Sequence, residues 1–528
     1  MEIRDQDENL NRDDRIPITE WPVCSSSGEQ SKNQTSNELG NPSFPKLQEP
    51  CFQFNKKWPT ANFITLSGEQ QLVPSLKRKQ QSTFQSLPTK YLRKSDEINE
   101  GNEEPMAAVR VAKWWRKKQH LHSNFSVTSE NPNTRLHHIS RIKECQEFLR
   151  DERRLLKRRL SDCSRIDKAS AYAALASLED WLDSHDAALE NITIAVDLCP
   201  TNSEFLWLKA KLSRHHKALQ IQKEMTEKCN QYLKAFPPVK KVDRISCKNL
   251  SVQDFKEHFV KRGIPVILED VVSSMAEENW DLDHIKEKAG CITVSVKRNI
   301  PGSVEWAKLE ESSRMTVGEH VDRVKEGRTA DYLFDWSLPL HCPQLANEIT
   351  IPEYFSDNFL SQTNPGSLYR DSWPSLFVAP AGIASELHVD AFASSFWMAL
   401  FHGEKRWTFF DASDLALLYP KYIHSLDPVF SANIAEPDLK SFPLLALTKP
   451  KQCVLKTGDL LFVPAGSPHF VENLTASVAV SSNYVDATNY HQVCEELRIS
   501  GLIDPRAKEL MDQFESSDFK ARTMANKT

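Results

Sequence analysis

Two histidines and one aspartate, set in strand-like sequence in the second half of the chain, constrain the fold most strongly. His388 and Asp390 lie in the segment Ser-Glu-Leu-His-Val-Asp, and His469 follows a Pro-Ala-Gly-Ser-Pro turn. Side chains alternate along a strand, so residues i and i+2 share a face. His388 and Asp390 are therefore predicted to point into one interior, where His469 would join them from a neighbouring strand. Two imidazoles and one carboxylate can hold iron(II) and leave coordination positions open, as in non-haem oxygenases.

Context selects this His-x-acid triplet from the three in the chain. With 16 His and 72 Asp plus Glu in 528 residues, about two such triplets are expected by chance, so a triplet alone is weak evidence. The triplet at His320 lies in charged, helical sequence and is predicted to be a solvated helix face. The triplet at His402 is predicted to be an exposed hairpin tip between apolar strands. The apolar run 459–464 and the turn after it are expected to carry His469 back across the sheet.

The order of the blocks around these residues resembles that of the Jumonji C (JmjC) family from about residue 242 to 486. The blocks are Gly-Ile-Pro-Val-Ile-Leu-Glu-Asp from Gly263, Tyr-Leu-Phe-Asp from Tyr332, Gly-Glu-Lys-Arg-Trp from Gly403 and the His469 region. JmjC domains are double-stranded β-helix (cupin-type) oxygenases that use iron(II), 2-oxoglutarate and O2. The chain is most similar to the branch that contains nuclear lysyl-hydroxylases and arginine demethylases.

This resemblance assigns roles to individual positions. The iron ligands would be His388, Asp390 and His469, and no further catalytic residue is implied. The cosubstrate pocket would contain Tyr332, Ser385, Lys405, Asn473, Ser481 and Asn483. Within that set, Lys405, Tyr332 and Ser481 would hold the distal carboxylate of 2-oxoglutarate. Met398 departs from the branch, which often has asparagine there, and a thioether is a poor hydrogen-bonding group.

The fold class expected from these patterns is α+β and multidomain. Residues 1–105 are rich in Ser, Gln, Asn, Pro and charge and are predicted to be disordered. Residues 106–237 are predicted to form an α-helical module. Residues 238–490 would form the JmjC domain, and residues 491–528 the C-terminal helices and tail. The Phe-Pro-Pro segment from Phe236 marks the boundary between the helices and the strands.

Part of the helical module resembles a single tetratricopeptide unit. Over residues 169–202, small and bulky residues and Pro200 fall near the positions that this repeat requires. A repeat array normally needs three or more units, so a plain helical bundle remains the alternative. The module is expected to bind a protein partner or to pack on the barrel. The basic helix predicted over 148–160 leaves nucleic-acid binding open, although a solvated, salt-bridged helix is favoured.

Composition limits the compartment and the class of partner. The formal net charge of −6 gives no general basic character. The first 30 residues contain no apolar signal segment, and no run approaches the roughly 18 apolar residues of a transmembrane helix. The 11 cysteines are scattered, which favours a reducing compartment. We therefore expect a nuclear or cytoplasmic protein without membrane contact. The C-terminal helices are expected to pack on the barrel or to form a homodimer contact.

The predicted function is an iron(II)- and 2-oxoglutarate-dependent dioxygenase that hydroxylates a protein side chain. N-methyl lysine or arginine demethylation, of the histone type, is an alternative within the same chemistry. The sequence shows no Tudor-like or plant-homeodomain-like module, which favours hydroxylation. A non-catalytic scaffold that binds a protein partner is the alternative from a different class, and Met398 is the one feature in its favour.

Overall fold

The computed structural model describes residues 141, 143–161, 165–229, 235–423, 425–517 and 519. The predicted disorder of residues 1–105 and the predicted tail at 524–528 lie outside these residues. In the described part, four helices precede the strands: α1 (Lys143–Arg159), α2 (Arg165–Trp181), α3 (His185–Leu198) and α4 (Ser203–Cys229).

Small side chains bring α2 and α3 together. Ala173 and Ala176 on α2 are buried in one cluster with Ala188 and Ile192 on α3, and such residues allow two helix backbones to approach closely. A tetratricopeptide array would continue with a second pair of short helices, whereas a single helix of 27 residues, α4, follows here. The tetratricopeptide assignment stays a prediction.

The strands of the second half are short and numerous. They are β1 (Lys240–Lys241), β2 (Asp243–Ser246), β3 (Val266–Glu269), β4 (Thr293–Asn299), β5 (Leu309–Thr316), β6 (Leu333–Ser337), β7 (Ser375–Ala379), β8 (Ala384–His388), β9 (Ser395–His402), β10 (Glu404–Phe409), β11 (Pro420–Lys421), β12 (Val429–Phe430), β13 (Lys451–Lys456), β14 (Leu460–Val463), β15 (His469–Asn473) and β16 (Ser477–Tyr484).

Two mainly antiparallel sheets form a double-stranded β-helix, as the sequence predicts. One has the order β1-β13-β10-β15-β8, and the other has the order β2-β3-β14-β9-β16-β7-β6. The only parallel pairs in the described sheets are β1 with β13 and β2 with β3. The inward-facing residues of both sheets meet in one buried cluster that includes Met398, Trp407 and Val471.

Further helices cover the outer faces of the sheets. They are α5 (Val252–Phe255), α6 (Leu282–Ala289), α7 (Val317–Lys325), α8 (Leu338–His341), α9 (Pro343–Glu348), α10 (Leu368–Asp371), α11 (Tyr490–Ser500) and α12 (Pro505–Glu515). The last two confirm the predicted C-terminal helices. They pack on loops of the barrel domain around Phe359 and Phe392, whereas the homodimer contact stays a prediction. None of the helices in the described ranges has the length and apolar character needed to span a bilayer.

The turn at His402 is exposed as predicted, but it is not a hairpin tip, because β9 pairs with β14 and β16 in one sheet and β10 pairs with β13 and β15 in the other. The prediction for His320 is also wrong. His402 is exposed where β9 ends and Gly403 turns the chain into β10. His320, in contrast, is fully buried on α7, and its Nε2 atom lies 3.0 Å from the carbonyl oxygen of Val378. The charged neighbours of His320 face solvent, so the helix is amphipathic and its histidine belongs to the sheet-facing side.

The path of the chain to His469 also differs from the expectation. The turn after β14 does not return the chain across the same sheet, because β14 pairs with β3 and β9 in the seven-stranded sheet. His469 begins β15, which pairs with β10 and β8 in the opposite sheet. The turn therefore crosses from one sheet to the other, as the winding of a double-stranded β-helix requires.

Candidate metal and cosubstrate site

Three potential metal ligands meet at one end of the five-stranded sheet. His388 ends β8 and stands directly opposite His469, the first residue of the adjacent strand β15. Their rings lie 4.2 Å apart between centroids at an interplanar angle of 64°. Asp390 lies beyond the end of β8 but keeps an extended backbone, with φ −67° and ψ 151°. Candidate ligand atoms of the three side chains lie within 4.8 Å of one another.

Backbone carbonyls orient both imidazoles. The Nδ1 atom of His388 lies 2.6 Å from the carbonyl oxygen of Glu386, and that of His469 lies 3.0 Å from the carbonyl oxygen of Ser467. A carbonyl only accepts, so each Nδ1 carries the proton and donates. Each Nε2 atom therefore keeps its lone pair, as in histidines whose second nitrogen binds a metal.

Burial sets the charge of these three groups. It lowers the pKa of His469 to about 4, and burial together with repulsion from His469 lowers the pKa of His388 well below its usual value. Burial also raises the pKa of Asp390 to about 7. Both imidazoles are neutral and keep a free lone pair, and a bound cation would stabilise the ionised form of the Asp390 carboxylate. These properties fit a divalent metal ion.

A β-bulge turns Ser385 towards the same interior as His388. The two are three residues apart, which on a regular strand would place them on opposite faces. The pairing shifts between His388 opposite His469 and Ser385 opposite Val471, so β8 holds one residue more than β15 in this stretch. The extra residue restores the inward orientation of Ser385, which is buried.

Lys405 places a cation inside the barrel near its midpoint. It is the second residue of β10 and has no exposed surface. Its Nζ atom donates to Oδ1 of Asn473 at 2.5 Å and to the hydroxyl of Tyr332 at 3.2 Å. No carboxylate of the described chain forms an ion pair with it, and burial lowers the pKa of Lys405 to about 7.

Asn473 connects this lysine to the backbone. Its Nδ2 atom donates to the carbonyl oxygen of Ile383 at 2.9 Å, while its Oδ1 atom also accepts from the hydroxyl of Ser477 at 2.9 Å. The amide is thus fixed in one orientation. Tyr332 joins the same network from a β-bridge to Lys297, and burial raises the pKa of its hydroxyl above the usual value.

Ser481 completes the polar set on the opposing sheet. It lies on β16 beside Met398 on β9, and its buried Oγ atom has no hydrogen-bond partner among the described residues. Met398 is buried on the inner face and shares a cluster with Tyr332. Asn483 faces the same interior two residues later, but its Nδ2 atom donates to the hydroxyl of Ser394 at 2.7 Å. The buried ammonium of Lys405 and the buried, unpartnered hydroxyl of Ser481 could both bind a dicarboxylate that enters the barrel.

Three residues near the site escaped the sequence reasoning. The ring of Trp306 lies 4.3 Å from that of His388, and its Nε1 atom donates to the carbonyl oxygen of Val389 at 2.9 Å. Asp335 is buried with a positive φ of 52°, and burial raises its pKa to about 7. Lys297 is buried over the ring of Phe334 at 5.0 Å. Of these three, only Asp335 carries a signal that would have pointed to the site, namely its positive φ. That signal is visible only in the structure.

The comparisons with known proteins agree with this architecture. The model of the family described as cupin-like domain matches residues 252–490. Arginine-specific demethylase JMJ22 of Arabidopsis thaliana is 30% identical over 278 residues, which are 50% of this chain and 49% of that protein.

Two further relatives match the same part of the chain. Bifunctional arginine demethylase and lysyl-hydroxylase psr-1 of Caenorhabditis briggsae is 26% identical over 268 residues, or 49% of this chain and 65% of the relative. The human 2-oxoglutarate and iron-dependent oxygenase JMJD4 is 25% identical over 260 residues, which are 45% of this chain and 60% of that protein. The chain thus spans about half to two thirds of the length of these relatives.

Proposed function

Because residues 252–490 match the cupin-like domain family and the same region is similar to iron- and 2-oxoglutarate-dependent relatives, we propose that the protein is a JmjC-type iron(II)- and 2-oxoglutarate-dependent dioxygenase. The observation that carries this proposal is the buried Lys405 ammonium. It lies in the same interior as the His388, Asp390 and His469 side chains and has no carboxylate beside it in the described structure. A buried charge without a counterion is costly, so an anionic ligand would relieve that cost.

Each donor group has a defined task in this proposal. His388, Asp390 and His469 would hold the metal through two Nε2 lone pairs and one carboxylate. Lys405 and Tyr332 would hold the distal carboxylate of 2-oxoglutarate, and the Ser481 hydroxyl would donate its unused hydrogen bond to it. Asn473 would keep the lysine aimed at the pocket, because its amide is fixed by Ile383. Ser385 and Asn483 would line the pocket.

The metal and the cosubstrate supply the redox chemistry when they are bound. Together with O2 they convert a substrate C–H bond into an alcohol and give succinate and carbon dioxide. The protein contributes a dry site: Trp306 covers the ring of His388, and the buried cluster around Met398 and Trp407 excludes water. Exclusion of water limits side reactions of the activated site.

We propose a protein side chain as the substrate and hydroxylation as the reaction. The printed name of psr-1 includes lysyl-hydroxylase, which supports this choice. N-methyl demethylation is the second candidate, because the names of JMJ22 and psr-1 include arginine demethylase. A hydroxylated side-chain carbon is stable, whereas a hydroxylated N-methyl group breaks down to formaldehyde and the free amine. We place the action of the protein in the nucleus or cytoplasm, as its scattered cysteines indicate.

The first test is 2-oxoglutarate binding with iron(II) under anaerobic conditions, measured by thermal stabilisation. 2-Oxoglutarate is expected to stabilise the wild type only when iron(II) is present, and His388→Ala is expected to lose this metal-dependent effect. His402→Ala provides a matched control, because His402 is exposed at the turn between β9 and β10. Absence of stabilisation in the wild type would contradict the proposal and favour a non-catalytic scaffold.

The reaction type is tested by a second measurement on a peptide library incubated with the active protein. Hydroxylation would appear in mass spectrometry as a retained oxygen atom on a side chain. Demethylation would appear as loss of a methyl group together with released formaldehyde. Formaldehyde release without any oxygen-bearing product would overturn the preference for hydroxylation and leave the oxygenase assignment intact.

A further inference from the structure

A second group of metal-ligating side chains lies where the helical module meets the barrel domain. Asp180 comes from the last turn of α2, His185 begins α3, and His215 lies on α4. The side chains are between 11 and 18% exposed. The short turn between α2 and α3, with Asp183 at a positive φ of 58°, returns the chain so that His185 faces Asp180. Neither the sequence motifs nor the barrel site involves this group.

Two imidazole nitrogens converge on one carboxylate oxygen. The Nδ1 atoms of His185 and His215 lie 3.2 and 3.5 Å from Oδ1 of Asp180, and candidate ligand atoms of the three residues lie within 4.8 Å of one another. Ligands about 2.0–2.1 Å from a tetrahedral zinc ion are roughly 3.3 Å apart. The observed separations match this spacing, and a metal ion would replace the hydrogen bond that now joins His185 Nδ1 to Asp180.

The packing of the two imidazole rings resembles that in the barrel site, although here the Nδ1 atoms face the carboxylate. The rings of His185 and His215 lie 4.4 Å apart at an interplanar angle of 60°, against 4.2 Å and 64° for His388 and His469. Within the described residues, these are the two groups of His, Cys, Asp and Glu that can hold a metal ion. In addition, the buried Nδ1 atom of His215 has no hydrogen-bond partner in the described structure.

We propose that Asp180, His185 and His215 form a second divalent-metal site, of the zinc type and structural in role, that joins α2, α3 and α4. With three protein ligands, the fourth tetrahedral position would be open to water, so the structural role rests on the joining of three helices and not on a closed ligand set. Because α4 contacts the barrel domain, the metal would stiffen the helical module on the side that faces that domain.

Lys211 is compatible with a metal at this position. Its Nζ atom lies 3.5 Å from the other carboxylate oxygen, Oδ2 of Asp180, and donates to the carbonyl oxygen of Ile423 at 3.1 Å. Carboxylates that bind metals are commonly hydrogen-bonded through their second oxygen.

The surroundings connect this cluster to the barrel domain. The Arg214 side chain, next to His215 on α4, donates to the carbonyl oxygen of Leu426 at 3.2 Å and to both oxygens of Glu496 at 2.8 Å. Leu426 is buried in the apolar cluster of the helical module. Loss of the metal is therefore expected to loosen the contact between the helical module and the segment from Ile423 to Leu426.

The experiment uses the full chain carrying His388→Ala and His469→Ala, so that the barrel site cannot contribute. After dialysis against zinc, one equivalent of metal per chain is expected by elemental analysis. Cobalt(II) in place of zinc is expected to give the visible absorption of a tetrahedral nitrogen and oxygen site. Further substitution of His185→Gln and His215→Gln is expected to remove the bound metal and the absorption.

His216→Gln is the matched control on the same helix. The Nδ1 atom of His216 faces the exposed Asp186 at 3.2 Å, away from the cluster, so this variant is expected to keep one equivalent. A chain without the barrel histidines that binds no zinc would overturn the proposal and leave a purely hydrogen-bonded Asp-His-Lys network. Retention of metal by the His185→Gln, His215→Gln chain would also overturn it. The zinc content of the chain that lacks only the barrel histidines is measured with the cluster intact. It therefore does not depend on the folding of the His185→Gln, His215→Gln variant or on the proposed oxygenase function.

Discussion

The Nζ atom of Lys405 lies 2.5 Å from the Oδ1 atom of Asn473, its direct neighbour on the adjacent strand β15. Both side chains are buried, and the asparagine is fixed in turn by the backbone at Ile383. The sheet register thus aims a buried ammonium into the barrel without help from a carboxylate. Four predictions follow from this site and the turn that leads to it.

Asn473→Ala is expected to weaken 2-oxoglutarate binding by about 10- to 100-fold, the cost of a hydrogen bond to a charged group. Lys405 would lose its orienting acceptor while the metal ligands stay in place. The measurement is the dissociation constant of 2-oxoglutarate with iron(II), compared with metal content. Asn433→Ala is the control, because Asn433 is exposed. A parallel loss of iron would mean that Asn473 supports the whole site.

Lys405→Met is expected to stabilise the cosubstrate-free protein while weakening 2-oxoglutarate binding at least about 30-fold. Burial lowers the pKa of Lys405 from 10.5 to about 7, so the unfolded chain retains a proton between these values that the folded chain has released. Stability of the wild type therefore rises with pH across this window. The stability gained by Lys405→Met should be largest below pH 7 and shrink towards pH 10.5.

Urea denaturation at several pH values measures this difference. Lys456→Met serves as the reference, since Lys456 is exposed and its removal should give no such trend. A pH-independent difference for Lys405→Met would show that the lysine is solvated in solution.

Ser481→Ala is expected to leave the free energy of unfolding nearly unchanged, because the hydroxyl has no partner to lose among the described residues. Cosubstrate affinity should fall by about 2- to 10-fold, the worth of a net hydrogen bond. Isothermal titration with 2-oxoglutarate measures the change. Ser482→Ala, whose hydroxyl donates to the carbonyl oxygen of Asn483, should bind the cosubstrate normally. Equal affinity for all three proteins would remove Ser481 from the pocket.

Gly403→Ala is expected to destabilise the protein by more than the roughly 1–2 kcal/mol that a left-handed backbone costs a residue with a side chain. Gly403 has a φ of +93°, and an added Cβ atom would overlap the carbonyl oxygen of Ala476. Gly458→Ala isolates the backbone contribution, because Gly458 has a φ of +95° and open space around it. Denaturation midpoints should therefore fall further for Gly403→Ala. Equal losses would show that the turn between β9 and β10 relaxes around the new methyl group.

Much of the fold was predictable because its signals are local. The exposed turn at His402 follows from one glycine between two apolar runs, although the pairing of its strands with different sheets does not, and the resemblance of the strand blocks to JmjC domains predicted the double-stranded β-helix. The i and i+2 spacing of His388 and Asp390 suggested a shared interior, and the resemblance to JmjC domains added Lys405 to it. The structure brings them together with His469, Tyr332 and Ser481 in the barrel.

Other features were not predictable because they depend on which elements pack together. The amphipathic sequence around His320 does not reveal which face meets the sheet, and the prediction of exposure was wrong. The bulge that turns Ser385 inward is visible only in the pairing of β8 with β15. The Asp180, His185 and His215 cluster draws on three helices, and none of its residues belongs to a recognisable motif.

The sequence by itself determined the donor types of the candidate metal site and the exposed turn that precedes Lys405, and its resemblance to JmjC domains indicated the type of barrel. The donor types and the turn depend on residue spacing and on alternation along single strands. Only the tertiary structure decided the register that pairs Lys405 with Asn473 and the crossing that carries His469 to the opposite sheet. The same is true of the meeting of His215 with Asp180. Contacts between distant segments depend on how many buried side chains pack together across the whole fold. No short stretch of sequence determines that packing.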